Sequence, residues 1–379
     1  MSTVVSRAAR RRWAAVTAGT ALLVGSLVVT PWAWSAVGVA PTTTSPTALV
    51  ERALASDDVA YSATGESRGA LALPDLRGFD GLASLLGGTT RTRVWWAAPT
   101  RWRVDVVGLS GEQDTYGLDT SITTWDYESR RLVTVAGEPV ARLPRADDLL
   151  PPQAVRRLLA SLGPSDRLSL LPARRVGGRE ADGLRIVPGD RRSTVARADV
   201  WLDRATGLPL RLLLVDARGG DALVTALSGV TTGRPDDDVL TPPAPPNARR
   251  ELDRAPDLVS RIAQRSPWSL PDELAGLPAT DPAVEGTGTY GDGLVRVAVL
   301  PLPDRLSGDV VGSATAAGSV AEEVPGGRLV RIGSSLLNVV LAVGEDGEHA
   351  YVLAGLVEPA LLDAVAADLF ATPPARSLR

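Results

Sequence analysis

Again and again this chain sets apolar side chains at every second position, and that period dictates strands. In Arg101 to Val106, Trp102, Val104 and Val106 fall on one side, and Arg101, Arg103 and Asp105 on the other. Successive side chains of an extended strand point to opposite faces, so the pattern predicts one buried face and one wet face. Ile122 to Tyr127, the turn residues Glu128-Ser129-Arg130-Arg131 and Leu132 to Val135 read as a hairpin. Ala198 to Asp203 and Leu208 to Val215 read as another. They are joined by Arg204-Ala205-Thr206-Gly207, whose glycine supplies the positive φ that such a turn needs. On its second arm Leu208, Leu210, Leu212 and Leu214 share a face. Helical spacing is rarer. Leu49, Val50, Ala53 and Leu54 predict a helix over Ala48 to Ser56, and Val155, Leu158, Leu159 and Leu162 predict one behind Pro152. Many antiparallel strands with a few helices indicate an α+β fold built on a large sheet.

Pro242-Pro243-Ala244-Pro245-Pro246 interrupts this pattern, because proline continues neither a strand ladder nor a helix. The charged stretch Arg249 to Arg254 follows. The sequence therefore divides into a β-rich domain over 41–247, a linker over 248–267 and a smaller α+β domain over 268–371. In the latter, Leu294 to Leu300 reads as a strand, and Leu336 to Val343 and His349 to Leu356 flank the turn 344–348. A closing helix, Ala360 to Leu369, turns Leu361, Leu362, Val365 and Leu369 inward.

The first forty residues stand apart. Arg7, Arg10, Arg11 and Arg12 precede an uncharged run from Trp13 to Ala40, whose apolar core, Ala14 to Thr30, approaches membrane-spanning length as a helix. This is an export address, either a signal peptide cut near Ala33-Trp34-Ser35 or Gly38-Val39-Ala40, or a retained membrane anchor. Either way the body works outside the cytoplasm. It has no cysteine, hence no disulfide and no thiolate metal site. Without the four leader arginines, 36 arginines face 44 acids, a balance of −8. That speaks against nucleic acid, whose phosphates demand a basic surface. All 40 basic residues are arginine, which reads as base composition of the genome and not as an arginine-recognition surface.

Catalytic motifs are missing. The one histidine, His349, follows a Gly/Asp/Glu turn with no nucleophile beside it in sequence. No Gly-x-Ser-x-Gly elbow, Walker loop or His-Glu-x-x-His helix occurs. Gly286 to Gly291 has the spacing of a dinucleotide fingerprint, but a strand follows it where that mechanism requires a helix. Asp147-Asp148 lies at a helix start and Asp236-Asp237-Asp238 in a loop, without the spacing of a calcium loop. Neither a cofactor nor a metal is expected, and an enzyme is the weaker reading. Tryptophan is the conspicuous residue. With only two Phe in the chain, Trp95, Trp96, Trp102, Trp125 and Trp201 all fall in or beside predicted strands, and Tyr127 shares a face with Trp125. Each has a plain reading as core. Together they also suit the wall of an apolar pocket for an acyl chain.

Those residues carry a resemblance. Trp95-Trp96-Ala97-Ala98-Pro99-Thr100-Arg101-Trp102-Arg103-Val104, then Gly111-Glu112 and Trp125-Asp126-Tyr127, resembles the Pro-broken strand pair of the lipoprotein-carrier (LolA-like) fold. Val176 to Leu184, followed by Val200-Trp201-Leu202-Asp203 and Thr206-Gly207-Leu208-Pro209-Leu210, is similar to a hairpin of the MucB/RseB family. Tyr290-Gly291-Asp292-Gly293-Leu294 and Val295 to Val299 resemble a strand of the same proteins. The resemblance implies a curved half-barrel sheet packed on helices, then a smaller domain. It also implies a regulator of a sigma-E-type stress response that binds the outer portion of a membrane-spanning anti-sigma factor and senses a lipid or lipoprotein. The leader, which has the makings of an anchor, and the acidic body depart from the family pattern. A carrier of lipid or lipoprotein is the alternative, and an envelope hydrolase a third reading.

Overall fold

The computed structural model describes residues 39–70, 87–108, 111–137, 142, 144–243, 245–255, 258–264, 270–280, 286–303, 308, 311–312, 314–315 and 319–371. The expected leader helix, positions 256–257 and 265–267 of the expected linker, and Trp268 lie outside the described residues. Among the described residues no helix is long and apolar enough to cross a membrane.

The first helix, α1 (Pro46–Ala55), begins where the chemistry favours it. The Ser45 hydroxyl accepts from the Ala48 amide at 3.2 Å, Pro46 occupies the first turn, and Leu49 and Ala53 are buried beneath. A meander of β1 (Tyr61–Gly69), β2 (Thr89–Ala98), β3 (Arg101–Gly108), β4 (Gly111–Leu118), β5 (Ser121–Asp126) and β6 (Arg131–Ala136) follows. Helix α2 (Pro151–Ala160) opens on two prolines and buries Val155 and Leu159. Then come β7 (Arg167–Val176), β8 (Arg179–Val187), β9 (Val195–Asp203), β10 (Pro209–Asp216) and β11 (Asp221–Thr232). β11 returns to pair antiparallel with β1, which fuses both runs into one sheet. Both helices pack on one face of it, where Leu49, Ala53, Val155 and Leu159 meet Leu184, Ile186, Ala198, Val200 and Leu212.

The sheet is strongly curved. β7 carries an irregularity between Leu171 and Arg174, and its end bends back over the strands beside it. A Cβ placed on Gly177, in the turn after β7, would lie 2.7 Å from the Leu227 carbonyl of β11. Four strand spacings separate β7 from β11, about 19 Å in a flat sheet. Such an approach requires a half-barrel. The four leucines read as one face are divided by a second irregularity, between Pro209 and Arg211. Leu208 and Leu210 join the core of Trp96 and Trp102, whereas Leu212 packs with the helices.

Arg249–Arg254, expected in the linker, forms β12, an edge strand running parallel to β6. Ion pairs of Glu251 with Arg131 and Arg249 hold it there, while Leu252 is 81 % exposed. After α3 (Leu258–Ala263) the chain builds a second sheet. Its strands are β13 (Glu273–Leu274), β14 (Leu277–Thr280), β15 (Gly288–Tyr290), β16 (Val297–Leu302), β17 (Ala321–Val324), β18 (Gly327–Gly333), β19 (Asn338–Gly344) and β20 (Ala350–Gly355). Their order is β13-β14-β15-β16-β20-β19-β18-β17. The closing helix α4 (Pro359–Ala371) covers this sheet, burying the four side chains expected, Leu361, Leu362, Val365 and Leu369. Gly286 to Gly291 contains β15: Gly288 opens the strand, and Gly286 and Gly291 flank it with positive φ, so no helix follows the glycines.

The two sheets touch. The Thr194 hydroxyl donates to the Leu336 carbonyl at 2.5 Å and its amide to Leu356 at 3.0 Å. Leu294 enters the core of α1 and α2, and Gly163 lies so close to Gly293 that a Cβ there would be 2.8 Å from its Cα.

Candidate binding surface

Strand register sorts the six aromatic residues onto two faces. Trp96 pairs with Tyr61 on one side and Trp102 on the other, and Trp102 pairs with Gly117. Directly paired residues share a face, so Trp96 and Trp102 lie together. Their rings stack with centroids 5.7 Å apart and planes 8° from parallel. Trp102 Nε1 donates to the Pro99 carbonyl at 3.1 Å, and Trp96 Nε1 to that of Asp57 at 3.3 Å. Both are buried with Val94, Val104 and Leu150. Gly117 makes this seat possible, since a Cβ there would meet the Trp102 ring at 2.3 Å. Sequence reading overlooked Gly117, although a glycine inside an alternating strand is a signal of close approach.

A crevice bounded by Gly65, Ser67, Thr90, Thr92, Leu150 and Thr225 opens on the same face. It is too narrow to seat a water molecule. The Leu149 carbonyl closes it from above by accepting from the Thr225 hydroxyl at 2.6 Å. An acyl chain would enter here only if the turn Ala146–Leu149 parted from the sheet.

Trp95, Trp125 and Trp201 point to the opposite face, and Tyr127 packs edge-on against Trp125 at 5.6 Å. Trp125 and Trp201 are buried, Trp95 is half-buried, and Tyr127 is 48 % exposed. This is the face expected to be wet, yet Asp105 and Asp114 on it have no exposed surface at all. Arg103 is the cause. Its guanidinium donates to both Asp105 oxygens at 2.6 and 2.9 Å and to Asp114 Oδ2 at 2.9 Å. It also lies 5.0 Å from the Trp95 ring centre and 5.2 Å from that of Tyr116. The segment that crosses from β11 to β12 adds the Val239 carbonyl, which accepts from Arg103 at 3.4 Å. Burial, and then the negative charge of Asp105, push the Asp114 carboxyl up to about 7. Asp105, Glu112 and Asp114 bring carboxylate oxygens within 4.8 Å of one another. Arg93 and Arg103 form ion pairs with these acids, so the cluster ties β2, β3 and β4 together.

Farther along this face the balance is reversed. Arg68, Arg211, Arg197, Arg185 and Arg174 come from five strands, against few acids. Asp199 is held by Arg185 at 2.6 and 2.7 Å and approached by Arg197 at 3.5 Å. An acidic body thus carries a local cationic surface that overall composition conceals.

Comparison with known proteins supplies the decisive observation. Residues 133–227 match the MucB/RseB N-terminal domain family. That span runs from β6 to β11 and holds Trp201 and the motifs Val176 to Leu184 and Val200 to Leu210, as the resemblance implied. The motifs at Trp95 to Val104 and Tyr290 to Val299 fall outside it. No curated protein matches the chain. Among solved structures, MucB in complex with MucA(peri) is similar, with 20 % identity, 85 % of this chain and 97 % of that chain covered, and a TM-score of 0.45. A complex of Pseudomonas aeruginosa MucA/MucB is similar at 20 % identity over 85 % and 96 %, with a TM-score of 0.46. A LolA superfamily protein from Nitrosomonas europaea shares 13 % identity over 53 % of this chain and 99 % of that one, with a TM-score of 0.24.

Proposed function

We propose that this chain is an extracytoplasmic regulator of a sigma-E-type stress response. It binds the outer portion of a membrane-spanning anti-sigma factor, and a lipid or lipoprotein ligand changes that binding. The observation that carries this reading is the match of residues 133–227 to the MucB/RseB N-terminal domain. The basic, then apolar leader supports a position outside the cytoplasm, as a secreted protein or one anchored at the outer side of the membrane. The chain works by binding and not by catalysis, and it divides functionally into the large domain over 41–247 and the smaller one over 268–371.

The ligand-responsive part comprises Trp95, Trp96, Trp102, Trp125, Tyr127 and Trp201. Tyr127 is the member a ligand meets without opening the core, while Trp96 and Trp102 respond only if the turn over the crevice moves. Two measurements test the reading. Pull-down with the outer segment of the co-encoded anti-sigma factor should show binding at micromolar concentration, and none would sink the partner assignment. Native mass spectrometry and Trp fluorescence should reveal an acyl-bearing ligand, with lower occupancy in Trp96→Ala or Trp102→Ala. A chain that is always empty and never quenched by lipid removes the sensing step.

A further inference from the structure

The segment that joins the leader to α1 is seated on the large domain by a clamp. The Thr42 hydroxyl donates to Asp182 Oδ1 at 2.6 Å, and Arg204 Nη2 donates to the Ala40 carbonyl at 2.7 Å. Asp182 is only 2 % exposed and also accepts from Arg204 at 2.6 and 3.0 Å, so one buried carboxylate ties both contacts together. Charge-assisted bonds of this kind are about twice as strong as neutral ones. Three residues after Thr42, Ser45 caps α1. That helix is held against the same hairpin turn. Arg52 donates to the Arg204 carbonyl at 2.5 Å, and a Cβ on Gly207 would lie 2.7 Å from the Arg52 carbonyl. The path from Ala40 into α1 therefore has little slack.

The clamp and the small domain occupy opposite ends of the same strands. Asp182 and Arg204 sit where β8 enters the sheet and β9 leaves it. The other end of β9 starts at Val195, and there Thr194 is bonded to Leu336 and Leu356, and Ser193 pairs with Val357. Gly163, which lies against Gly293, belongs to this second end too, since the nearby Asp166 accepts from the Gly189 amide just beyond β8. With 9 residues in β9, the two ends are about 27 Å apart. The chain before the clamp is short as well. The apolar run Ala14 to Thr30 ends ten residues before Ala40, a reach of at most about 36 Å when fully extended. Trp32 and Trp34, within that stretch, suit a membrane–water interface.

We propose that the leader is kept as an anchor and that the clamp turns the hairpin end of the large domain, at Arg204 to Gly207, towards the lipid surface, with the small domain held outward. The two bonds at Ala40 and Thr42 lie just where the leader meets the body, so the anchor is joined to a buried carboxylate and not to a free tail. A cut after Ala40 would discard the carbonyl that Arg204 holds. A cut after Ser35 would leave a docked segment that positions nothing. Charge does not make the attachment, because the ions at this end pair with one another: Arg179 with Asp203, and Arg204 with Glu180 and Asp182. The proposal rests on the extracytoplasmic reading of the leader given above, and on neither the partner nor the ligand assigned there.

The test uses the full-length chain in phosphatidylcholine vesicles. The chain has no cysteine, so Ala205→Cys and Ala217→Cys each carry a single fluorophore. Both positions are exposed, Ala205 in the hairpin turn and Ala217 beside Thr194 at the other end of β10. Energy transfer to a headgroup-labelled lipid is expected to be severalfold stronger from position 205 than from position 217. Thr42→Val combined with Arg204→Gln removes both bonds of the segment, and with the fold verified by circular dichroism it brings the two positions towards equal transfer. Equal transfer in the chain with its clamp intact overturns the proposal, as does a difference that the double variant leaves unchanged. The intact mass of the chain extracted from the membranes of the cells that make it should include the leader, and a leader-free mass overturns the proposal by itself. None of these readouts involves the anti-sigma factor, so their failure and the failure of the partner assignment are separate results.

Discussion

Replacing Gly117 with alanine distinguishes a fixed core around Trp102 from a movable pocket wall. The added methyl would lie 2.3 Å from Trp102 Cε2 and Nε1 and 2.8 Å from Cδ1. Carbon atoms settle at about 3.5–4.0 Å, so the ring must shift by more than about 1 Å. That ring is 4 % exposed, stacked on Trp96 and hydrogen-bonded to Pro99. Overpacking costs about 1–3 kcal/mol, and loss of the stack costs about 0.5–1.5 kcal/mol. Against this, alanine in a strand gains roughly 0.5–1 kcal/mol over glycine. A net loss of about 2–3 kcal/mol is expected from urea unfolding followed by circular dichroism. In a Trp102→Leu background the clash disappears, and Gly117→Ala should be neutral or stabilising by up to about 1 kcal/mol. A wild-type cost below about 0.5 kcal/mol, or the same cost in both backgrounds, would refute the packing argument. Trp102 would then swing freely, as a pocket wall can.

Two further predictions concern buried carboxylates. Asp114 has its folded value raised to about 7 from 3.8, so the folded chain holds a proton that the unfolded chain releases between those values. Its contribution grows as pH falls from about 8 towards 4, and urea unfolding of Asp114→Asn at pH 5 and pH 8 should show that slope removed, on the order of 2–4 kcal/mol. Asp148 behaves oppositely. Burial opposes its charge, but bonds from Arg142, the Arg145 amide and Arg157 prevail and hold it at about 2. Its contribution is present above pH 4 and is lost as pH falls through 2. Asp148→Asn should therefore cost about 2 kcal/mol at pH 7 and almost nothing near pH 2, measured by thermal unfolding at both.

Local periodicity made much of this fold legible. Arg101 to Val106 is a strand, both predicted hairpins form, and α4 buries the four side chains its spacing marks. Other features depend on distant partners. Closure of β11 on β1 joins residues more than 150 positions apart, and no local pattern announces it. β12 is charged at five of six positions and follows a proline run, so it reads as a connection until β6 is known to lie beside it. Asp105 obeys the alternation yet is buried, because Arg103 and the Val239 carbonyl close over its face. The aromatic grouping was half legible. Trp95 and Trp96 are adjacent in one strand, so alternation alone sends them to opposite faces. What sequence could not show is that Trp201, seven strands away from Trp125 in the sheet, faces the same side.

The most direct test of the central claim is a binding isotherm between the purified chain and the outer segment of the membrane-spanning anti-sigma factor encoded beside it. A one-to-one complex with a Kd in the micromolar range or below, weakened when an acyl-bearing ligand is added, is the predicted result. No complex at concentrations of about 100 μM, with both proteins folded, would contradict it.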